Sequence, residues 1–251
     1  GGDLHLMAAA AVLAVTITTL IAAFGDRLER ALVTRAAEML GADLVLTGSQ
    51  PPSAAVLAVA ARHDVTAVRT LDFNTMLVSG DELLLASVRA AGAGYPPRGT
   101  LAVADGDGSR PVTAGPPPGE IWIDRQVRDE LAVAPGATLE VGVAQLAVGA
   151  VLVDEPDRGG GMAATFGARA LMHLDDLEAT GVVQPGSRVR WRTLFAGDSD
   201  DIAAARAELA TLIDSHEEIT DVRSGSRRAT NALSRTLQFL ALAAVLGVVL
   251  C

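Results

Sequence analysis

Leu4 to Phe24 reads LHLMAAAAVLAVTITTLIAAF. Its 21 residues hold one ionisable side chain, His5, and no formal charge at neutral pH. As a helix rising ~1.5 Å per residue, they span roughly the 30 Å of a bilayer's hydrocarbon core. A second apolar run, LQFLALAAVLGVVLC, starts at Leu237 and is still apolar at Cys251. Both runs are predicted to be membrane helices, the second continuing past Cys251. The residues between them are water-soluble in character and held at both ends.

A secretory signal peptide is a poor match to the first run. Such peptides have a basic start, a core of about 7 to 15 apolar residues and a cleavage loop. Here the run is longer, Gly1-Gly2-Asp3 carries no basic residue, and charged helix formers follow it. A buried core helix is a poor match too, because 21 residues without a polar face is long for one.

Composition narrows the function. All 20 basic residues are Arg, and Lys is absent. Between Asp26 and Arg235 lie 20 Arg and 29 acids, a net of −9. An acidic domain lacks the basic face that nucleic acid or anionic lipid needs, so nucleic acid is not a predicted partner. Cys251, the single cysteine, sits in the second apolar run, so the soluble part has neither an internal disulfide nor a cysteine metal site. The remaining length is room for one large domain or two small ones.

Gly25 to Gly41 continues the first helix into water. Leu28, Leu32, Ala36, Met39 and Leu40 recur at helical spacing, and Gly41 is a stop signal. Ala42–Leu46 reads as a strand and Ala54–Arg62 as a helix begun near Ser53. Val65–Phe73 and Thr75–Val78 read as two strands around an Asp72–Asn74 turn, and Leu83–Val88 as a third after Gly80-Asp81. This order predicts an α+β sheet with a helix on one face. From about 94 to 186 the chain reads as an inserted β-rich subdomain. Gly94 to Gly99 and Asp105 to Gly119 are loops around a strand at Leu101–Ala104. Strands follow at Ile121–Ile123, Thr138–Val141, Gln145–Val153 and Ala170–Leu174, with helices at Arg125–Leu131 and Asp175–Thr180. Glu155-Pro156-Asp157-Arg158 and Gly159–Gly161 read as a flexible loop. Arg188–Phe195 is a strand, Asp201–Ile213 a helix and Ile219–Val222 a last strand. From Ser226 a helix runs toward the second apolar run.

Catalytic signals are weak. Gly159-Gly160-Gly161 lacks the Gly-Lys-Ser/Thr that a Walker phosphate cradle needs. Gly197-Asp198-Ser199 has the letters of a GDSL-type hydrolase block, but it comes late, and Asp214-Ser215-His216 has the wrong spacing for the base. Ser199 is expected near the start of the following helix. His5, His63, His173 and His216 form no zinc pattern. His173-Leu174-Asp175-Asp176 offers metal-ligand types, although a strand end and helix cap account for it. Arg188, Arg190 and Arg192 alternate on one strand face, as either an anion surface or a solvated face beside acids. No catalytic, cofactor-binding or metal residue is therefore assigned.

Several blocks together resemble a known family. They are Ala42-Asp43-Leu44-Val45-Leu46, Pro118-Gly119-Glu120-Ile121-Trp122-Ile123, Glu155-Pro156-Asp157, Leu171 to Leu177, Thr180-Gly181 and Gln184-Pro185-Gly186-Ser187-Arg188-Val189. The chain resembles the N-terminal part of YbbP-like ABC transporter permeases, within the MacB/FtsX/LolC-like (type VII) group. That resemblance implies transmembrane helix 1 at 1–24 and a stalk helix at 25–42. A porter-like periplasmic α+β subdomain follows, split into 43–93 and 187–225 around a Sabre-like β-rich insert at 94–186. Residues 226–251 would be a stalk and the start of transmembrane helix 2. It also implies a bacterial inner-membrane location with the large domain periplasmic, and no enzyme activity or cofactor in this chain. The implied partners are a cytoplasmic ATP-binding subunit, a second permease subunit and the lipid membrane. Relatives of this branch are associated with a periplasmic lysophospholipase/arylesterase and with movement of hydrophobic or lipid-like molecules. The alternatives are the ectodomain of a two-helix membrane sensor and a membrane-anchored hydrolase using Ser199.

Overall fold

In a computed structural model of the chain, the described residues are 34–156, 167–184 and 186–221, with scattered positions between 12 and 31. The chain divides into two units, Gly1–Ala36 with Val222–Cys251, and Ala37–Asp221. In the first unit, every described position from Val12 onward is helical, including Gly25. Its apolar side chains Val12, Val15, Leu20 and Phe24 are exposed. Among the described residues no helix is long and apolar enough to cross a membrane. Most of Leu4–Phe24, and all of the chain from 222 on, including the run from Leu237, lies outside them. So do Arg158 and Gly159–Gly161.

The second unit carries the sheet. β1 (Leu44–Gly48), α1 (Ala54–Arg62), β2 (Thr66–Ser79), β10 (Arg190–Ala196), α4 (Ser199–Leu212) and β11 (Glu218–Asp221) make one α/β layer pair. The strand order β11-β1-β10-β2 is antiparallel at every step, which is the split βαβ arrangement of ferredoxin-like units. Ser53 caps α1, its hydroxyl accepting from Val56 N–H at 3.3 Å. Val56, Val59 and Ala60 from α1 meet Ile202, Ala205 and Leu209 from α4 over Leu44, Leu46 and Phe195. Each helix thus buries a stripe at helical spacing on alternate residues of the strands.

All the remaining strands come from the chain between β2 and β10. They are β3 (Glu82–Ala91), β4 (Leu101–Asp105), β5 (Gly108–Val112), β6 (Glu120–Ile123), β7 (Thr138–Val141), β8 (Ala144–Asp154) and β9 (Arg169–His173). Two helices lie among them, α2 (Arg125–Glu130) and α3 (Leu177–Thr180), the latter after a 3-10 turn at Leu174–Asp176. Pairing runs from β2 through β3, β9, β6, β8 and β7 and returns to β2. Six strands therefore close a small barrel. Its lumen is filled by Phe73 and Leu77 from β2, Ala86 and Val88 from β3, and matching alternate residues of the other four strands.

β2 is one 14-residue strand where the sequence predicts two. Asp72 and Asn74 favour turns in isolation, but here both stay in the ladder, opposite Arg89 and Ser87 of β3. The α/β layer uses the first half of β2 and the barrel uses the second. β5 was expected to be loop. It forms a hairpin with β4 across Asp105–Gly108, and its exposed residues and Pro111 suit an edge strand.

Candidate functional site: the socket at Gly41

Residues 34–40 are helical, and the helix stops at Gly41 with φ +71°. Gly41 N–H donates to the Glu38 carbonyl and Ala42 N–H to the Ala37 carbonyl. These two bonds are a Schellman closure, which satisfies the helix's last carbonyls and requires a left-handed residue at Gly41. Ala37 and Ala42, the ends of the wider bond, are both buried.

The closure sits in a socket built by three segments. Tyr95-Pro96-Pro97-Arg98-Gly99 follows β3 and contains a cis Tyr95-Pro96 bond. Its Arg98 N–H donates to the Gly41 carbonyl at 3.0 Å. Gly99 passes so close to the helix end that a Cβ there would lie 2.9 Å from the Glu38 carbonyl oxygen. Pro156, at the end of β8, lies against both glycines: a Cβ on Gly41 would be 3.1 Å from its Cβ, and one on Gly99 3.5 Å from its Cγ. The third segment is the end of β10. The Arg98 guanidinium donates to Asp43 Oδ2 (2.8 Å) and to the Gly197 carbonyl (2.7 Å), while Gly197 N–H donates to the same Asp43 oxygen at 3.1 Å. One side chain thus joins the 95–99 loop, the start of β1 and the end of β10.

Beneath the loop lies a buried ionic layer. Arg89 of β3 donates through Nε to Asp72 Oδ1 (2.6 Å) and through Nη1 to Glu155 Oε1 (2.8 Å) and Tyr95 Oη (2.9 Å). The Tyr95 hydroxyl donates to Glu155 Oε1 at 2.7 Å. Charge-assisted bonds of this kind are roughly twice as strong as neutral ones. Burial alone pushes Asp72 up, but the Arg89 guanidinium, helped by Arg192 and Arg190, outweighs it and holds the carboxyl below its usual value. Burial pushes the Tyr95 phenol well up, and the Glu155 charge adds to this, so it stays a neutral donor. Burial opposes the charge on Arg89, yet the Glu155 and Asp72 carboxylates outweigh it and raise the guanidinium's pKa well above its ordinary value.

The socket falls on residues read from sequence as loop. Glu155 and Pro156 were expected to be flexible, but both are buried. The reason is that Glu155 neutralises Arg89 and Pro156 wedges the helix end. One signal pointed here: Tyr95 is the chain's only tyrosine, set in a Gly/Pro-rich loop. Arg89 gave none, because it falls beyond the strand expected at Leu83–Val88.

Arg190 is exposed and Arg192 buried in β10, both beside Asp72, while Arg188 precedes the strand. Ser199 opens α4 after the N-cap Asp198, and its hydroxyl donates to Asp200 at 3.1 Å. His63 pairs with Glu208 across α1 and α4 at 2.7 Å. His173 caps the 3-10 turn, its Nδ1 accepting from Asp175 N–H, and His216 lies in an exposed turn. Among the described residues no three His, Cys, Asp or Glu side chains are grouped to hold a metal.

Residues 5–212 match the MacB-like periplasmic core domain family. Over 238 residues the chain is 29% identical to the "Uncharacterized ABC transporter permease YbbP" of Escherichia coli (strain K12), covering 95% of this chain. The chain spans only 29% of that relative's length. Two solved structures are similar at 12% identity. The extracellular domain of the noncanonic ABC-type transporter YknZ from Gram-positive bacteria has a TM-score of 0.47, covering 71% of this chain and 100% of its own. The periplasmic region of MacB from Actinobacillus actinomycetemcomitans has a TM-score of 0.48, covering 78% and 96%. With residues 5–212 matched, the chain belongs to the MacB-like periplasmic core domain family of ABC transporter permeases.

Proposed function

We propose that the chain is the first membrane helix, the extracytoplasmic domain and the beginning of the second membrane helix of an ABC permease subunit. Its domain is a mechanical transmitter. A separate cytoplasmic subunit hydrolyses ATP, the membrane helices shift, and the domain moves against that of a second permease subunit. This motion drives movement or release of a hydrophobic or lipid-like molecule, in association with a periplasmic esterase or lysophospholipase. The chain itself catalyses nothing and holds no cofactor. It resides in the inner membrane with the large domain on the far side from the ATPase.

One observation carries this reading: the Schellman-closed helix end is held by Arg98, Gly99 and Pro156 against the sheet. A helix passes on displacement while its i to i−4 hydrogen bonds stay intact, and it passes that displacement to a domain only if its end is fixed. The socket supplies the fixed end, and the ionic layer joins it to β2, β3 and the end of β8.

The test uses the full-length permease with its ATP-binding subunit. Arg98→Ala removes the bonds to Asp43 and Gly197. Leu32→Pro breaks the helix upstream at a cost of about 3 kcal/mol; Leu32 lies outside the described residues. Both variants should assemble and keep most of their ATP hydrolysis while the transport-linked phenotype is lost. Ser109→Pro in the β4–β5 hairpin is the control and should do little. Wild-type transport in both variants, with normal assembly, would reduce the helix to a tether.

A further inference from the structure

The outer face of the β2–β3 ribbon changes character along its length. Near its base Val68 and Ala91 are buried in a core with Tyr95, Leu101 and Leu171. Next comes the Asp72–Arg89 pair, then Asn74 opposite Ser87. Beyond these, at the end farthest from the core, Met76 faces Leu85 and Val78 faces Leu83. Met76, Leu83 and Leu85 are 40%, 61% and 39% exposed. The opposite face of the same strands, Leu77 and Ala86, is fully buried in the barrel. An apolar stripe on the solvent side of a barrel wall is not needed to close the barrel.

Backbone groups accompany the stripe. Ser79 and Glu82 bracket the two-residue turn Gly80-Asp81, so they form a hydrogen-bonded pair, and bonding to β2 alternates from there. Gly92 N–H, on the bonded phase, donates to the Arg69 carbonyl; Ser87 N–H, on the other, points away from β2 to the Ala168 carbonyl. Leu83 and Leu85 share the phase of Ser87. Their N–H and C=O groups therefore face the edge of β3, where β9 pairs only with Ser87 to Ala91. Among the described residues no strand pairs with that edge from Glu82 to Ala86.

Charge decides the occupant. Asp81 stands in the turn at the end of the stripe, Glu82 on the other face of β3 beside its free edge, and Glu140 on β7 opposite Val78, all exposed. Residues 73–86 and 138–145 contain no Arg, Lys or His. A second copy would set these acids against themselves, and an anionic bilayer would be repelled. We propose that this end of the β2–β3 ribbon docks an extended segment of another protein. That segment adds alongside β3, lays apolar side chains on Leu83 and Leu85 beside Met76, and carries Arg or Lys against Asp81 and Glu82. The inference is independent of the transport reading.

The probes are fluorescent peptides on the full-length protein in nanodiscs: alternating Val/Arg, alternating Val/Glu, and Val/Arg interrupted by proline. The Val/Arg peptide should bind about tenfold or more tightly than the Val/Glu peptide, and the proline version should lose most of this. Glu82→Arg with Asp81→Arg should reverse the Val/Arg over Val/Glu preference, and Leu83→Asn with Leu85→Asn should abolish binding of both. The first pair changes only exposed charges, so it keeps the test valid if the second pair misfolds. Equal binding of the two peptides, binding indifferent to both variant pairs, or no binding at all would overturn the proposal. So would two other occupants: a homodimer trapped by Leu83→Cys in a Cys251→Ser background, or uptake onto phosphatidylglycerol vesicles that depends on Leu83.

Discussion

Gly99→Ala tests the socket most directly. Two costs arise. At φ +77° an L-residue is strained by about 1–2 kcal/mol. The new Cβ would also lie 2.9 Å from the Glu38 carbonyl oxygen, where ordinary contact begins at 3.4 Å, so backbone must yield by about half an ångström. That carbonyl belongs to the Schellman closure and has no flexible side chain to move. Overpacking of this kind costs about 1–3 kcal/mol. Gly106→Ala is the matched control, with φ +56° and no atom within 4 Å of its Cβ. It should show the strain alone. Native-state hydrogen exchange on the full-length protein reads the difference at the Ala42 and Arg98 amides. Gly99→Ala should speed their exchange by about 10- to 100-fold, since ~1.4 kcal/mol is a factor of ten. Gly106→Ala should leave them at wild-type rates. If both variants leave these two amides unchanged, the helix end does not rest in the socket as described.

Glu155→Leu should destabilise the domain by about 3–5 kcal/mol in urea unfolding, because Arg89 loses a buried partner and Tyr95 its acceptor; a loss under 1 kcal/mol would show that Asp72 alone suffices. Asp72 has a folded pKa below its ordinary value of 3.8, so its contribution is present above about pH 4 and lost as pH falls through the folded value. Asp72→Asn should therefore be less stable than wild type at pH 7 and lose less stability on acidification; parallel urea midpoints against pH would contradict this. Gly142→Ala should fail to fold or weaken the β7–β8 turn severely, since a Cβ there overlaps the Thr180 carbonyl; a wild-type melting temperature would be inconsistent with the packing. Purified protein should hydrolyse no model ester, and an activity that disappears in Ser199→Ala would restore the hydrolase alternative.

Local rules made much of the fold legible. Ser53 before an apolar-periodic run marks the helix at Ala54–Arg62 without tertiary help. Gly80-Asp81 between alternating runs marks the hairpin that joins β2 to β3. Asp72 and Asn74 mislead because their turn preference holds only while they are unpartnered, and Arg89 supplies the partner from another strand. Closure of the barrel rests on two residue pairs, Leu77 with Val141 and Val78 with Glu140, which no local pattern announces. The socket was hidden for the same reason. Its loops look flexible by composition, and their order comes from contacts 55 to 154 residues apart in sequence.

Those separations bear on how the chain is made. The helix that ends at Gly41 leaves the ribosome before any part of its socket exists. Synthesis at roughly 5–20 residues per second takes about 6 to 23 s to reach Pro156, and the Gly197 contact to Asp43 comes later still. A nascent chain shorter than this has a helix but nowhere to seat it. The anchor is thus among the last features to form, and a helix firmly seated at Gly41 marks a domain whose strands, up to the end of β10, have already been delivered.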